Sequence, residues 1–168
     1  MKGVSTSVIE QVDVPREQFF YWFLSVSLDK IMHSYTILPG VSSVRNQTGP
    51  MHQAGASREI VFTDGSTAVE KILSSDPPAV INYTVYNLTS IFRFLVRDGE
   101  AQIIFRELSP DETAVDWRYT YFGHNWLAEL VLRILIPLFW RGFMRATLSR
   151  AKLLAEVELS SQTTSVAA

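Results

Sequence analysis

The chain has 168 residues, 47% hydrophobic and 12% aromatic, with a formal net charge of -2. That length can bury roughly two thirds of its unfolded surface in one domain and still leave an internal pocket, and the lack of excess basic charge argues against nucleic acid as a partner. With no cysteine, disulfides, thiolate metal sites and cysteine nucleophiles are excluded, and the cytoplasm is the expected location.

The N-terminal MKGVSTSVIEQVDVP carries one lysine and no apolar core, so no secretory leader is read there. The Asn-x-Thr triplets at Asn46, Asn82 and Asn87 are then chance matches to a glycosylation signal. Val4 to Val14 reads as an opening strand. It is ended by Pro15, whose fixed φ and missing N–H suit the first turn of a helix, with Asp13 in the capping position. Phe19, Phe20, Trp22, Phe23 and Val26 then fall at helical spacings, giving a helix that continues or breaks before His33. Ile37-Leu38-Pro39-Gly40-Val41 turns the chain.

The strongest local signal is a hairpin, AGASREIVF-TDG-STAVEKIL, around Asp64-Gly65. Two registers are open to it. A two-residue loop sets Glu59 opposite Glu70, whereas a Thr63-Asp64-Gly65 loop with glycine in the left-handed position sets Arg58 opposite Glu70. The second is favoured, because it puts Ala56, Ile60, Phe62, Ala68 and Ile72 on one face with Arg58 and Glu70, and Ser57, Glu59, Thr67 and Lys71 on the other. Two charges on an apolar face are tolerated as a hydrogen-bonded pair, so Arg58 and Glu70 are expected to form one.

Pro77-Pro78 opens a further strand, AVINYTVYNL. An irregular aromatic segment follows near Ile91 to Leu95, then strands over Gly99 to Leu108 and Thr113 to Phe122 joined by Ser109-Pro110-Asp111. In the last strand Val115, Trp117, Tyr119 and Tyr121 alternate with Asp116, Arg118 and Thr120, so the aromatic set is expected inward. A helical stretch from about Trp126 to Val157 closes the chain. Its polar stripe, Glu129, Arg133, Arg141, Arg145, Ser149, Lys152 and Glu156, marks a wet side and leaves Leu130, Val131, Ile134, Leu138 and Leu148 to pack inward. Pro137 is expected to kink it and Gly142 to permit close approach to the sheet. Glu129, Arg133 and Arg141 interrupt the apolar run from Trp126 to Met144, which falls short of a membrane span. Residues 1–158 are expected as one domain and 159–168 as a disordered polar tail.

The opening strand running into VDVPREQFFYWF, the LPGVSSV stretch, GASREIVFTDGSTAVEKIL, the INYTV strand and ETAVDWRYTY before the long helix together resemble the START-like superfamily. This is the helix-grip or pollen-allergen-like fold, and the branch resembled is the polyketide cyclase/dehydratase type. The resemblance spans about Val8 to Val157. It implies an α+β fold in which a curved antiparallel sheet of about seven strands wraps a long C-terminal helix, with short helices near the N-terminus. It also implies an elongated cavity for lipids, sterols or polyketides, whereas activity varies across the superfamily.

Within that frame Arg58 would stabilise a ligand carbonyl or enolate and Glu70 would position it or act as a base, with Tyr83 as a proton donor. A purely structural cross-strand pair explains Arg58 and Glu70 as well. Trp117, Tyr119 and Tyr121 offer flat apolar faces with polar tips, suited to an aromatic or polyene ligand and equally to core packing. His33 and Tyr35 stand where helix-grip proteins open their cavity, and Leu130, Ile134 and Leu138 complete the expected ligand set. His33, His52 and His124 lack a metal spacing, so no metal is expected, and no Gly-x-Ser-x-Gly elbow or phosphate cradle is present. The leading reading is a cofactor-independent protein that binds a hydrophobic, polyketide-like, aromatic or lipid molecule and promotes its cyclisation or dehydration. Its rival is a non-catalytic carrier or sensor of lipids or small molecules. A third reading is an interaction module that regulates a protein partner or sits at a membrane surface through the apolar first half of the last helix. That third reading predicts a small or collapsed cavity and an exposed apolar patch.

Overall fold

The computed structural model describes residues 3–166, with side chains through Ser160. Strand β1 (Val4–Val12) alternates buried and solvent-facing residues, as period-two patterning requires. Helix α1 (Arg16–Ser25) follows, with Pro15 at its N-cap and no side chain capping it. Asp13 is therefore not the cap; its backbone N–H donates to Glu156 Oε1 at 2.9 Å and ties the end of β1 to the C-terminal helix. A single 3₁₀ turn, Leu28–Lys30, leads into the loop before β2 (Val41–Arg45).

Strands β3 (Ser57–Phe62), β4 (Thr67–Asp76), β5 (Val80–Tyr86), β6 (Val96–Ser109) and β7 (Glu112–Gly123) then run antiparallel. The seven strands form one sheet in the order β1-β7-β6-β5-β4-β3-β2. Residues 13–40, with α1 among them, thus carry the chain from one sheet edge to the other. Register shifts in the β2–β3, β4–β5 and β6–β7 pairs mark bulges, which bend and twist a sheet. The β3–β4 hairpin has the three-residue loop. Phe62 N–H donates to Ser66 O at 2.8 Å, Gly65 N–H donates to Phe62 O at 3.0 Å, and Gly65 takes φ +81°, a conformation that favours glycine. Arg58 accordingly faces Glu70.

On β7, Val115, Trp117, Tyr119 and Tyr121 are buried. Asp116 on the opposite face is buried too, because Arg118 Nη2 and Arg106 Nη2 close over its carboxylate at 2.6 and 3.1 Å.

The C-terminal helical rod has three parts. Helix α2 (Trp126–Leu135) starts at Asn125, whose Oδ1 accepts from Ala128 N–H at 2.9 Å. A π turn, Ile136–Trp140, contains Pro137, and across it Arg141 N–H donates to Ile136 O five residues back. Helix α3 (Arg141–Val166) continues the rod. The expected Pro137 kink is thus a π turn, and the expected disordered tail is helical in its backbone as far as Val166, with Ala167 and Ala168 outside the described residues. Gly142 gives close approach, but to Tyr35 rather than to the sheet: a Cβ built there would lie 2.6 Å from two carbons of the Tyr35 ring.

The inward face of α2 also differs from the expectation. Leu130, Ile134 and Leu138 are 50, 60 and 63% exposed, whereas Glu129, expected on the wet side, is 6% exposed. Ala128, Leu132 and Ile136 are buried instead, and Val131 is half-buried. The physical reason is that this run is apolar nearly all round, so stepping by four from Glu129 fixed the wrong phase. A carboxylate in the first turn is favoured by the helix dipole. Gly123 leaves it room, since a Cβ there would come within 3.0 Å of Glu129 Cγ.

Inside the sheet the core has two halves. At one end Phe105 meets Phe19, Phe20 and Phe23 of α1 at ring separations of 6.0, 5.1 and 6.0 Å, a solid aromatic cluster. At the other end, beneath α2 and the π turn, side chains leave a space. Among the described residues no helix is long and apolar enough to cross a membrane.

Candidate functional site

That space is a cavity of about 110 Å³, of the order of an engineered cavity of ~150 Å³ that binds benzene. Its floor is the sheet: Ile60, Ala68, Tyr83, Val85, Trp117, Tyr119 and Tyr121. Its roof is the rod, with Leu132, Leu135, Ile136, Phe139, Trp140 and Phe143, and its rim is built from Leu38, Pro39, Leu88 and Phe92 in the loops.

One charged side chain interrupts this apolar wall. Glu70 lies on it, while Arg58, its cross-strand partner, does not line the cavity. Both are 9% exposed. Arg58 Nη2 and Nε donate to the same carboxylate oxygen, Oε1, at 2.9 and 3.1 Å. No described residue hydrogen-bonds Oε2. A charge-assisted pair of this kind lets an ionised carboxylate sit in an apolar wall that would otherwise exclude it.

Next to Glu70 is a set of aromatic hydroxyls. Tyr83 OH accepts from Trp117 Nε1–H at 2.9 Å, which leaves the tyrosine proton free to donate. Tyr119 and Tyr121 stack with ring centres 4.5 Å apart, and Trp140 meets both edge-on at 5.2 and 5.3 Å. Burial pushes the hydroxyls of Tyr83 and Tyr121 well above the ordinary phenol value, and it raises that of Tyr119 as well; the charge of Glu70 adds to the rise at Tyr83 and Tyr119. They are therefore neutral donors at physiological pH. Among the described residues Trp140 keeps its indole N–H buried without a partner, a group whose desolvation costs about 1–3 kcal/mol until an acceptor reaches it.

Of the residues singled out in the sequence, Glu70, Tyr83, Trp117, Tyr119 and Tyr121 come together on the wall. Arg58 reaches the cavity through Glu70. His33 is exposed, and Tyr35 is half-buried against Gly142; neither lines the cavity. Leu130, Ile134 and Leu138 face outward, and the roof is made by their neighbours. His124 is exposed, its Nε2 at 2.9 Å from Arg93 O. Trp140, Phe139 and Phe92 were not singled out, although Pro137 gave one usable signal: a helix that loses a backbone donor re-forms its ladder with altered phase after the proline.

The sequence matches no protein-family model, and it matches no curated protein. Solved structures do match. Norcoclaurine synthase from Thalictrum flavum, in complex with dopamine and hydroxybenzaldehyde, superposes with a TM-score of 0.63 at 13% identity, over 91% of this chain and 87% of that one. The protein XoxI from Bacillus cereus gives 0.63 at 17% identity, over 94% and 98% of the two chains. Ara h 8.0201 gives 0.57 at 14% identity, over 88% and 97%. At these identities the likeness carries the fold and nothing finer: the chain has the helix-grip fold.

Proposed function

We propose that the cavity binds a hydrophobic small molecule of aromatic or polyketide-like type and promotes its cyclisation or dehydration without a cofactor. The observation that carries this reading is Glu70, a carboxylate held by a buried arginine on the wall of an otherwise apolar cavity, with Oε2 unengaged. Glu70 Oε2 would accept a proton from carbon next to a ligand carbonyl. The Tyr83 hydroxyl and the Trp140 indole N–H would hydrogen-bond the oxygen that gains charge. Arg58 would act through Glu70, as a positioning residue. Holding a flexible chain folded against itself supplies the remainder of the rate. A helix-grip protein crystallised with two aromatic molecules, dopamine and hydroxybenzaldehyde, supports this choice of ligand class.

The test is native mass spectrometry of freshly purified protein, followed by solvent extraction and by titration with 8-anilinonaphthalene-1-sulfonate. An apolar adduct and saturable dye binding are expected, both lost in Ala68→Leu, which grows a side chain into the cavity. Protein free of any adduct, with dye binding unaffected by Ala68→Leu, would overturn the reading. A non-catalytic carrier or sensor of lipids or small molecules is the second reading. It is favoured by the buried tyrosines, whose burial keeps their hydroxyls protonated, so that they can hydrogen-bond a ligand without giving up a proton. Extracted ligand that is returned chemically unchanged after incubation with the protein selects the carrier.

A further inference from the structure

The cavity wall and the outer surface share the same short segments. Leu38 lines the cavity and Ile37 beside it is exposed; Phe92 lines it and Ile91 is 78% exposed. Leu135 and Phe139 line it, with Ile134 and Leu138 exposed next to each. These segments adjoin in space. Gly142, in the first turn of α3, meets Tyr35 of the first, while His124 before α2 donates its backbone N–H to Leu95 O at 3.2 Å and approaches Arg93 O. The outward face of α2, with Trp126 73% exposed and Leu127 and Leu130 beside it, therefore adjoins the segments that carry the exposed Ile37, Ile91 and Phe94. Apolar side chains of this size gathered in water mark a contact surface.

Charge identifies what they contact. From His124 to Ala155 the chain carries Arg133, Arg141, Arg145, Arg150 and Lys152 against a single acid, Glu129. That acid is buried. Arg133, Arg141 and Arg145 are exposed, and among the described residues none is in an ion pair. Arg93 lies over the Phe94 ring, 4.7 Å from its centre. Two copies of the chain meeting α2 to α2 about a two-fold axis would set arginine against arginine, with no exposed acid on this stretch to pair them. A helix face of large aliphatic side chains, arginines and a terminal tryptophan instead matches a lipid interface, where the apolar groups enter the acyl boundary and the guanidinium groups meet phosphate.

We propose that the outward face of α2, with Ile37, Ile91 and Phe94, docks the protein on the surface of an anionic lipid bilayer, the cavity rim turned toward the membrane. The proposal stands apart from what the cavity holds.

The test is co-sedimentation of the full chain with vesicles of phosphatidylcholine mixed with phosphatidylglycerol, set against vesicles of phosphatidylcholine alone. Binding to the mixed vesicles is expected, with a blue shift of Trp126 emission that Trp126→Phe removes. Raising the salt should release the unmodified protein, because screening shortens the reach of the arginines. Arg133→Glu with Arg141→Glu should weaken binding about 30-fold or more. Leu130→Ser with Ile134→Ser should weaken it about a hundredfold. All four side chains are exposed, and a thermal melt confirms that the variants fold. Three results would overturn the proposal: unmodified protein left in the supernatant at low salt, either double variant binding as tightly as the unmodified protein, or a stable dimer that Leu130→Ser with Ile134→Ser dissociates.

Discussion

Arg58 and Glu70 show how two opposite charges can share a buried site. Each is desolvated, and each is tolerated because the other is there. Glu70→Leu alone leaves a buried guanidinium unpaired and should cost about 3–5 kcal/mol in urea denaturation, whereas Arg58→Met with Glu70→Leu should return close to the unmodified stability. A double variant as unstable as the single one would show that the pair does not account for the loss. Arg58→Ala is for the same reason a poor probe of mechanism, since it strands the carboxylate. The three buried tyrosines make a second claim at this scale. Burial raises their pKa in the folded chain, so above the ordinary phenol value, about pH 10, the unfolded chain loses protons that the folded chain keeps. Stability is unaffected by these groups below that pH and should fall above it, by about 1.4 kcal/mol per pH unit for each tyrosine. Alkaline titration should show their phenolate absorbance rising only together with the loss of circular dichroism.

Among the elements, the rod is decided by two residues that helices ordinarily avoid. Pro137 supplies no N–H, and the chain responds with a π turn that brings Leu135, Ile136, Phe139 and Trp140 all onto the cavity roof. Gly142 then lacks the Cβ that would collide with Tyr35, so the loop before β2 can lie against the rod. Gly142→Ala gains helix propensity of about 1 kcal/mol and meets an overpacking cost of about 1–3 kcal/mol, so the net change should be destabilising by up to about 2 kcal/mol. In a Tyr35→Ala background the clash is gone, and the same substitution should stabilise by about 1 kcal/mol. Thermal denaturation of the four proteins measures the coupling; purely additive effects would mean that the ring and the glycine do not interact.

For the molecule as a whole, the decisive feature is an interior that is solid at the α1 end and hollow beneath the π turn. A hollow half forgoes packing contacts, and a ligand that fills it restores them. A ligand at a hundred times its dissociation constant should stabilise the chain by about 2.7 kcal/mol, which raises the melting temperature by roughly 5–10 °C for a domain of this size. Ala68→Leu should abolish that rise while melting near the unmodified temperature. A rise that persists in Ala68→Leu would put the ligand elsewhere on the protein.

Much of this was legible in the residues. Gly65 and the two-faced alternation of 56–72 dictated the hairpin loop, the register and the Arg58–Glu70 pairing, because turn chemistry and a period of two are local and each face differs in polarity. The same alternation turned Trp117, Tyr119 and Tyr121 inward. The run from Trp126 to Trp140 carried no such contrast. Apolar on nearly every side, it left the phase of α2 open, and Glu129, its one acid, went inside while Leu130, Ile134 and Leu138 stayed out. Nor could neighbours along the chain reveal that Glu70 lines the cavity while Arg58 does not, or that Phe139 and Trp140 close the roof. A cavity is the volume left over when distant elements meet, and its walls are set by how closely they can approach: by a glycine against a tyrosine, and by one extra residue in a helical turn.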